Sequence, residues 1–80
     1  MKSKVSVTLK SSILDPQGTA VEHAIKTLGY DGVGSVRIGK YIELEFDSTD
    51  KELVEKQTKE LCDKLLTNTV IETYTFKVED

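Results

Sequence analysis

His23 and Cys62 are the only histidine and the only cysteine of this 80-residue chain. A catalytic histidine needs an orienting partner, and none stands near His23 in sequence. Its place opposite the Val21, Ile25 and Leu28 stripe of a helix makes it a solvated surface group. Cys62 falls on the apolar face of a second helix, beside Asp63. That setting raises a thiol pKa and suits a buried, inert group better than a nucleophile. One histidine and one cysteine do not supply the ligands of a closed zinc site. Glu43 and Glu45 share one face of a strand, but a paired-carboxylate hydrolase needs a second strand or loop to complete its cleft. Gly32-x-Gly34 precedes a strand instead of opening a helix, so it is no dinucleotide fingerprint, and no phosphate-binding GxxxxGK[ST] run occurs. The loop Ser11 to Leu14 carries neither arginine nor glycine, which argues against a stand-alone phosphatase. The residues therefore nominate no catalytic group and no metal ligand.

Two polar stretches have a use that chain folding alone does not exhaust. In Asp15-Pro16-Gln17-Gly18, the aspartate caps a helix and the proline suits its first turn. The glycine does not fit, since glycine in a first turn costs about 0.5–1 kcal/mol against alanine. Something approaches the backbone closely there, either a strand of the same chain or another subunit. Arg37-Ile38-Gly39-Lys40 reads as a hairpin tip, plain or else a basic knob for an acidic surface.

The elements that position these residues follow from periodicity. Val5, Val7 and Leu9 alternate with polar residues, as a half-buried strand does. Asp15-Pro16 opens a helix whose apolar face is Ala20, Val21, Ala24, Ile25 and Leu28, and Gly29 stops it. Val36 and Ile38 begin a second strand, and Ile42, Leu44 and Phe46 form a third. Pairing Val36 with Ile42 and Arg37 with Tyr41 across a three-residue loop keeps both apolar sets on one face. Thr49-x-x-Glu52 is a capping box for a second helix with Val54, Thr58, Leu61, Cys62 and Leu65 inward. Its wet face offers the pairs Glu52–Lys56, Glu55–Lys59 and Glu60–Lys64. Val70, Tyr74, Phe76 and Val78 share one parity of a last strand. The order β-α-β-β-α-β predicts an α+β two-layer sandwich of ferredoxin-like type: a four-stranded antiparallel sheet with both helices on one face. The open face would carry Ser6, Thr8, Ser35, Arg37, Tyr41, Glu43, Thr73 and Thr75.

The length allows one domain, residues 1–80, with a core that supplies little stability on its own. A single cysteine excludes an internal disulfide, so association with other chains is the remaining support. A net charge of −3 without a basic run gives no footprint for nucleic acid. An RNA-binding sheet would also need more than one open-face aromatic. Met1-Lys2-Ser3-Lys4 leads straight into a strand without an apolar leader, and no stretch is apolar enough to span a membrane. A cytoplasmic protein is expected.

Asp15-Pro16-Gln17-Gly18-x-Ala20-Val21, Leu28-Gly29-Tyr30, Val36-Arg37-Ile38-Gly39-Lys40-x-Ile42-Glu43-Leu44 and Cys62-Asp63-Lys64-Leu65-Leu66-x-Asn68-x-Val70-Ile71-Glu72-x-Tyr74 together resemble the PurS family. These are small subunits of phosphoribosylformylglycinamidine (FGAM) synthase. The likeness runs from Val5 to Tyr74. Ser11-Ser12 and Gly34 depart from it. The resemblance implies a non-catalytic subunit of an ATP-dependent carbon–nitrogen ligase of de novo purine biosynthesis with glutamine as amide donor. Such a subunit bridges a glutaminase subunit and a large synthetase subunit and assists ammonia transfer to phosphoribosylformylglycinamide. It implies a homo-oligomer, dimer or tetramer, with no cofactor of its own, ATP and magnesium being held by the large subunit. The motif positions Asp15, Pro16, Gln17, Gly18, Arg37, Gly39, Lys40 and Tyr74 become partner-interface candidates. The competing reading is a small-molecule-binding regulatory module of the same fold class, supported by fold analogy alone.

Overall fold

The computed structural model describes residues 1–80. Strand β1 (Lys2–Leu9) lies at the centre of a three-stranded antiparallel sheet, between β2 (Gly39–Glu45) and β3 (Glu72–Glu79). Lys2 stands opposite Glu45 on one side and Glu79 on the other; Thr8 stands opposite Gly39 and Thr73. Odd-numbered β1 residues point to the core face, where Ser3, Val5 and Val7 are fully buried. Ile42, Leu44, Tyr74 and Phe76 pack around Val5, Val7 and Cys62 there. The opposite face is polar, with Lys2–Glu43 and Lys4–Glu79 ion pairs, each at 3.0 Å.

Helix α2 (Lys51–Leu61) covers this core over β1 and β3. Its N-cap is Asp50, one residue beyond the expected Thr49: the Asp50 carboxylate accepts the Glu52 and Leu53 N–H groups. Val54, Thr58 and Cys62 are buried as expected. Leu65 is not, at 74% exposure. The helix ends in a π-helical turn, Cys62–Leu66, closed by the Thr67 N–H to the Cys62 carbonyl at 3.0 Å. One extra residue in that turn rotates Leu65 outward and brings Leu66 to the core in its place. The three expected Glu–Lys pairs do not form; Lys59 turns instead to Asp63 at 3.1 Å.

Two further expectations fail. The sheet has three strands, not four. Val36 and Ile38 form no strand, and Gly39-Lys40 is no hairpin tip, since both residues lie inside β2 opposite Thr8 and Val7. The reason is local: the Asp15 carboxylate takes the Ile38 N–H that a strand would offer to a neighbour. Nor do both helices lie on the sheet. Helix α1 (Pro16–Thr27) stands off it, and residues 30–38 run back to its start. Val21 and Leu28 on its apolar stripe are 40% and 75% exposed. This arm gives the molecule extents of 49 × 26 × 14 Å and a radius of gyration of 16.0 Å. A compact domain of this length has about 12 Å.

Candidate subunit-docking site at the root of the arm

The motif that opens α1 is a joint. Asp15 caps the helix, with one carboxylate oxygen accepting from the Gly18 N–H and the other from the Ile38 N–H, both at 2.9 Å. These two donors, Ile38 foremost, hold the Asp15 carboxyl below the usual aspartate range. Pro16 fills the first helical position, where its missing N–H costs nothing. Gly18 is buried, and a Cβ there would sit 2.1 Å from the Val36 carbonyl oxygen. The close approach expected at Gly18 thus comes from the same chain. Val36 and Ile38 are pinned to α1 on either side of Arg37, whose side chain stays exposed.

The other candidates divide. Gly39 lies in β2, where a Cβ would fall 2.2 Å from the Val7 carbonyl oxygen, so it serves the sheet. Lys40 reaches across the core end of the sheet to the Leu66 carbonyl at 3.3 Å and the Glu72 carboxylate at 3.6 Å. Gln17, Ile38 and Lys40 border a shallow recess of about 310 Å³ beside it. Tyr74 is held within the fold: its hydroxyl donates to Asp63 at 2.7 Å, and Lys59 holds the other Asp63 oxygen. The Tyr74 hydroxyl, followed by Lys59, keeps the Asp63 carboxyl below its ordinary value. The structure therefore brings Asp15, Gly18 and Arg37 together and leaves Tyr74 in a separate cluster.

Periodicity and motif spacing do not reveal one feature. On the polar face of the sheet, Arg37 meets Lys10 around a recess of about 580 Å³ that the hydroxyl residues Thr8, Ser11, Ser12 and Thr73 also line. The adjacent hydroxyls of Ser11-Ser12 are the one signal of it in the sequence. His23 is exposed on α1, as expected. Cys62 is fully buried, and burial first, then the Asp63 charge, pushes its thiol pKa up. No helix is long and apolar enough to cross a membrane.

Comparison with known proteins fits this geometry. The family model for PurS, phosphoribosylformylglycinamidine (FGAM) synthase, matches residues 2–80. The PurS subunit of phosphoribosylformylglycinamidine synthase from Bacillus subtilis is 53% identical over 79 residues, covering 99% of this chain and 93% of the relative. The crystal structure of B. subtilis PurS superposes with a TM-score of 0.86 over 99% of this chain and 98% of that one. A chain of the Thermotoga maritima PurLQS structure superposes with a TM-score of 0.87 at 32% identity, covering 95% and 93%. A match over nearly the whole length, in sequence and in fold, shows that this chain belongs to the PurS family of FGAM synthase subunits.

Proposed function

We propose that this chain is a non-catalytic, self-associating subunit of FGAM synthase that bridges the glutaminase and synthetase subunits and assists ammonia transfer from glutamine to phosphoribosylformylglycinamide. The observation that carries the reading is the full-length likeness to a PurS chain in a solved PurLQS structure. The chain's own chemistry suits the role. Its thiol is buried with a raised pKa, and its histidine stands on the exposed arm. Asp15 serves the joint, Glu43 pairs with Lys2, and Asp63 accepts from the Tyr74 hydroxyl. In this reading ATP and magnesium belong to the large subunit, which performs the ligation. Ammonia released into water is protonated and lost, so the two active sites must be held in register by a rigid third body.

Self-association is part of the proposal. The chain exposes 5819 Å², whereas a compact monomer of 8.9 kDa exposes about 4800 Å². The excess is of the order of the ~800 Å² that one partner contributes to a stable interface. The arm exposes Val21 and Leu28, and its helix is too short to hold its shape unaided in water.

The test is reconstitution. With purified synthetase and glutaminase subunits, adding this chain should raise glutamine-dependent FGAM synthesis strongly and change ammonium-dependent synthesis little. No stimulation, with no co-elution of the three chains, would overturn the reading.

A further inference from the structure

The ladder between β1 and β2 stops one step short of the end of β1. Its last pair is Thr8 with Gly39, and Leu9 has no partner on β2. The same register would set Ile38 opposite Leu9 and Arg37 opposite Lys10. At the far end of this ladder the Phe46 N–H donates to the Met1 carbonyl at 2.7 Å, so Met1 and Phe46 form a hydrogen-bonded pair. Such pairs recur at every second position of an antiparallel ladder, and Leu9 with Ile38 falls on that count. The other side of β1 agrees. The Lys10 N–H donates to the Ile71 carbonyl at 2.8 Å, which turns the N–H and C=O of Leu9 away from β3 and toward β2. The fork between the two segments is open. Leu9 and Ile38 border a recess of about 310 Å³, and Leu9, Lys10 and Arg37 border another of about 580 Å³.

The Ile38 N–H therefore has two acceptors within its own chain. The Asp15 carboxylate holds it at 2.9 Å, and the Leu9 carbonyl is the acceptor that the sheet would supply. Three contacts favour the first. The Ile38 and Gly18 N–H groups, then the Arg37 charge, keep the Asp15 carboxyl below its ordinary range, so it is an anion and a stronger acceptor than a neutral carbonyl. The Val36 carbonyl rests against Gly18, where a Cβ would lie 2.1 Å from its oxygen. Pairing with β1 would also set the Arg37 charge directly opposite Lys10, and like charges facing across a ladder repel. The sequence pattern favours the second. Val36 and Ile38 continue the parity of Ile42 and Leu44, and pairing would lay Ile38 beside Leu9 on the core face.

We propose that residues 36–38 form a two-position switch, latched to α1 through Asp15 as in this structure, or zipped onto β1 as three further residues of β2. Zipping withdraws Val36 from Gly18 and moves the return segment of the arm onto the sheet. It thereby resets the direction in which α1 presents Val21 and Leu28. A discrete exchange of one N–H between two acceptors gives two states instead of a loosened loop. The switch stands apart from the subunit reading, because it needs no other chain.

The experiment is NMR on the isotope-labelled full-length chain near neutral pH, comparing wild type with D15N, K10E and D15N/K10E. Asparagine still caps the helix with its carbonyl oxygen, but its NH2 group cannot accept the Ile38 N–H. K10E replaces the repulsion opposite Arg37 with attraction. Two signals report the zipped state: slowed hydrogen exchange at the Leu9 amide, and a close Hα–Hα contact between Lys10, or its glutamate replacement, and Arg37. Wild type should show a fast Leu9 amide and no such contact. D15N/K10E should slow the Leu9 amide about tenfold or more and show the contact, as a new ladder pair does. D15N and K10E should each move the same signals part of the way. An unchanged Hα contact between Val5 and Phe76 controls for the fold. A Leu9 amide equally fast in all four proteins, with residues 36–38 merely disordered in D15N/K10E, would overturn the switch. So would a wild type that already gives both signals, since Asp15 would then hold nothing back. Should the Asp15 variants fail to fold, K10E decides alone: it leaves the joint whole, and an unmoved Leu9 amide would sink the proposal.

Discussion

An alanine Cβ at position 18 would meet the Val36 carbonyl oxygen at 2.1 Å and an Asp15 carboxylate oxygen at 2.8 Å. In an ordinary helix, alanine gains up to about 1 kcal/mol over glycine. Here the obstacle is backbone, which cannot swing aside, so the sign reverses. Gly18→Ala should destabilise the chain by roughly 1–3 kcal/mol, the range for overpacking. Gly32→Ala and Gly34→Ala, whose new Cβ would meet nothing within 4 Å, should be near neutral. Urea midpoints for the three variants decide the matter. Equal midpoints for G18A and wild type would mean that the joint is not tight. At this scale the residue types are informative. Asp15 and Pro16 spell a cap and Gly18 is out of place in it, which by itself locates a close approach. What approaches stays hidden, because Val36 is eighteen residues away and its own pattern suggests a strand.

Between elements, the junction of β1 with α2 carries one polar contact. Ser3 and Thr58 are both fully buried, with their hydroxyl oxygens 2.6 Å apart. Removing one partner strands the other without water, a penalty of about 1–3 kcal/mol. Ser3→Ala should therefore cost on that order. The double variant S3A/T58V should recover most of the loss, since both polar groups leave together. Additive losses in the denaturation cycle would rule out this coupling. Thr58 is legible as an inward position and its serine partner is not, because periodicity shows which way a side chain faces but not what it meets. The same limit explains the missing fourth strand. Alternation at Val36 and Ile38 is real, yet the Ile38 N–H goes to a carboxylate and not to a strand. Leu65 departs from its expected place for a related reason: a regular helical period would carry it inward, and the π turn breaks that period.

For the molecule as a whole, an amphipathic α1 announces that its apolar face is covered. It does not say by what, and in this chain Val21 and Leu28 on that face stay 40% and 75% exposed. Only eight of 80 residues are buried, so little core is left to stabilise an isolated copy. The mass in solution at micromolar concentration should be that of a dimer or a tetramer. Val21→Asp and Leu28→Asp, on the exposed stripe of the arm, should shift that mass toward the monomer by placing charge in the interface. Light scattering behind size exclusion reads both results; a monomeric wild type would sink the self-association proposal. Length and cysteine count suggest oligomers but locate no surface; the exposed stripe of the arm is the surface these variants test. The order of the strands carries a separate consequence for synthesis. β1, the first of the three strands in chain order, occupies the middle of the sheet, and β3, which flanks it, is the third. Lys2 pairs with Glu79, so nearly the whole chain separates the two. Until β3 leaves the ribosome, Val5 and Val7 have a neighbouring strand on one side only. The sheet therefore cannot close until β3 has been made, and the earlier part of the nascent chain needs shielding until then.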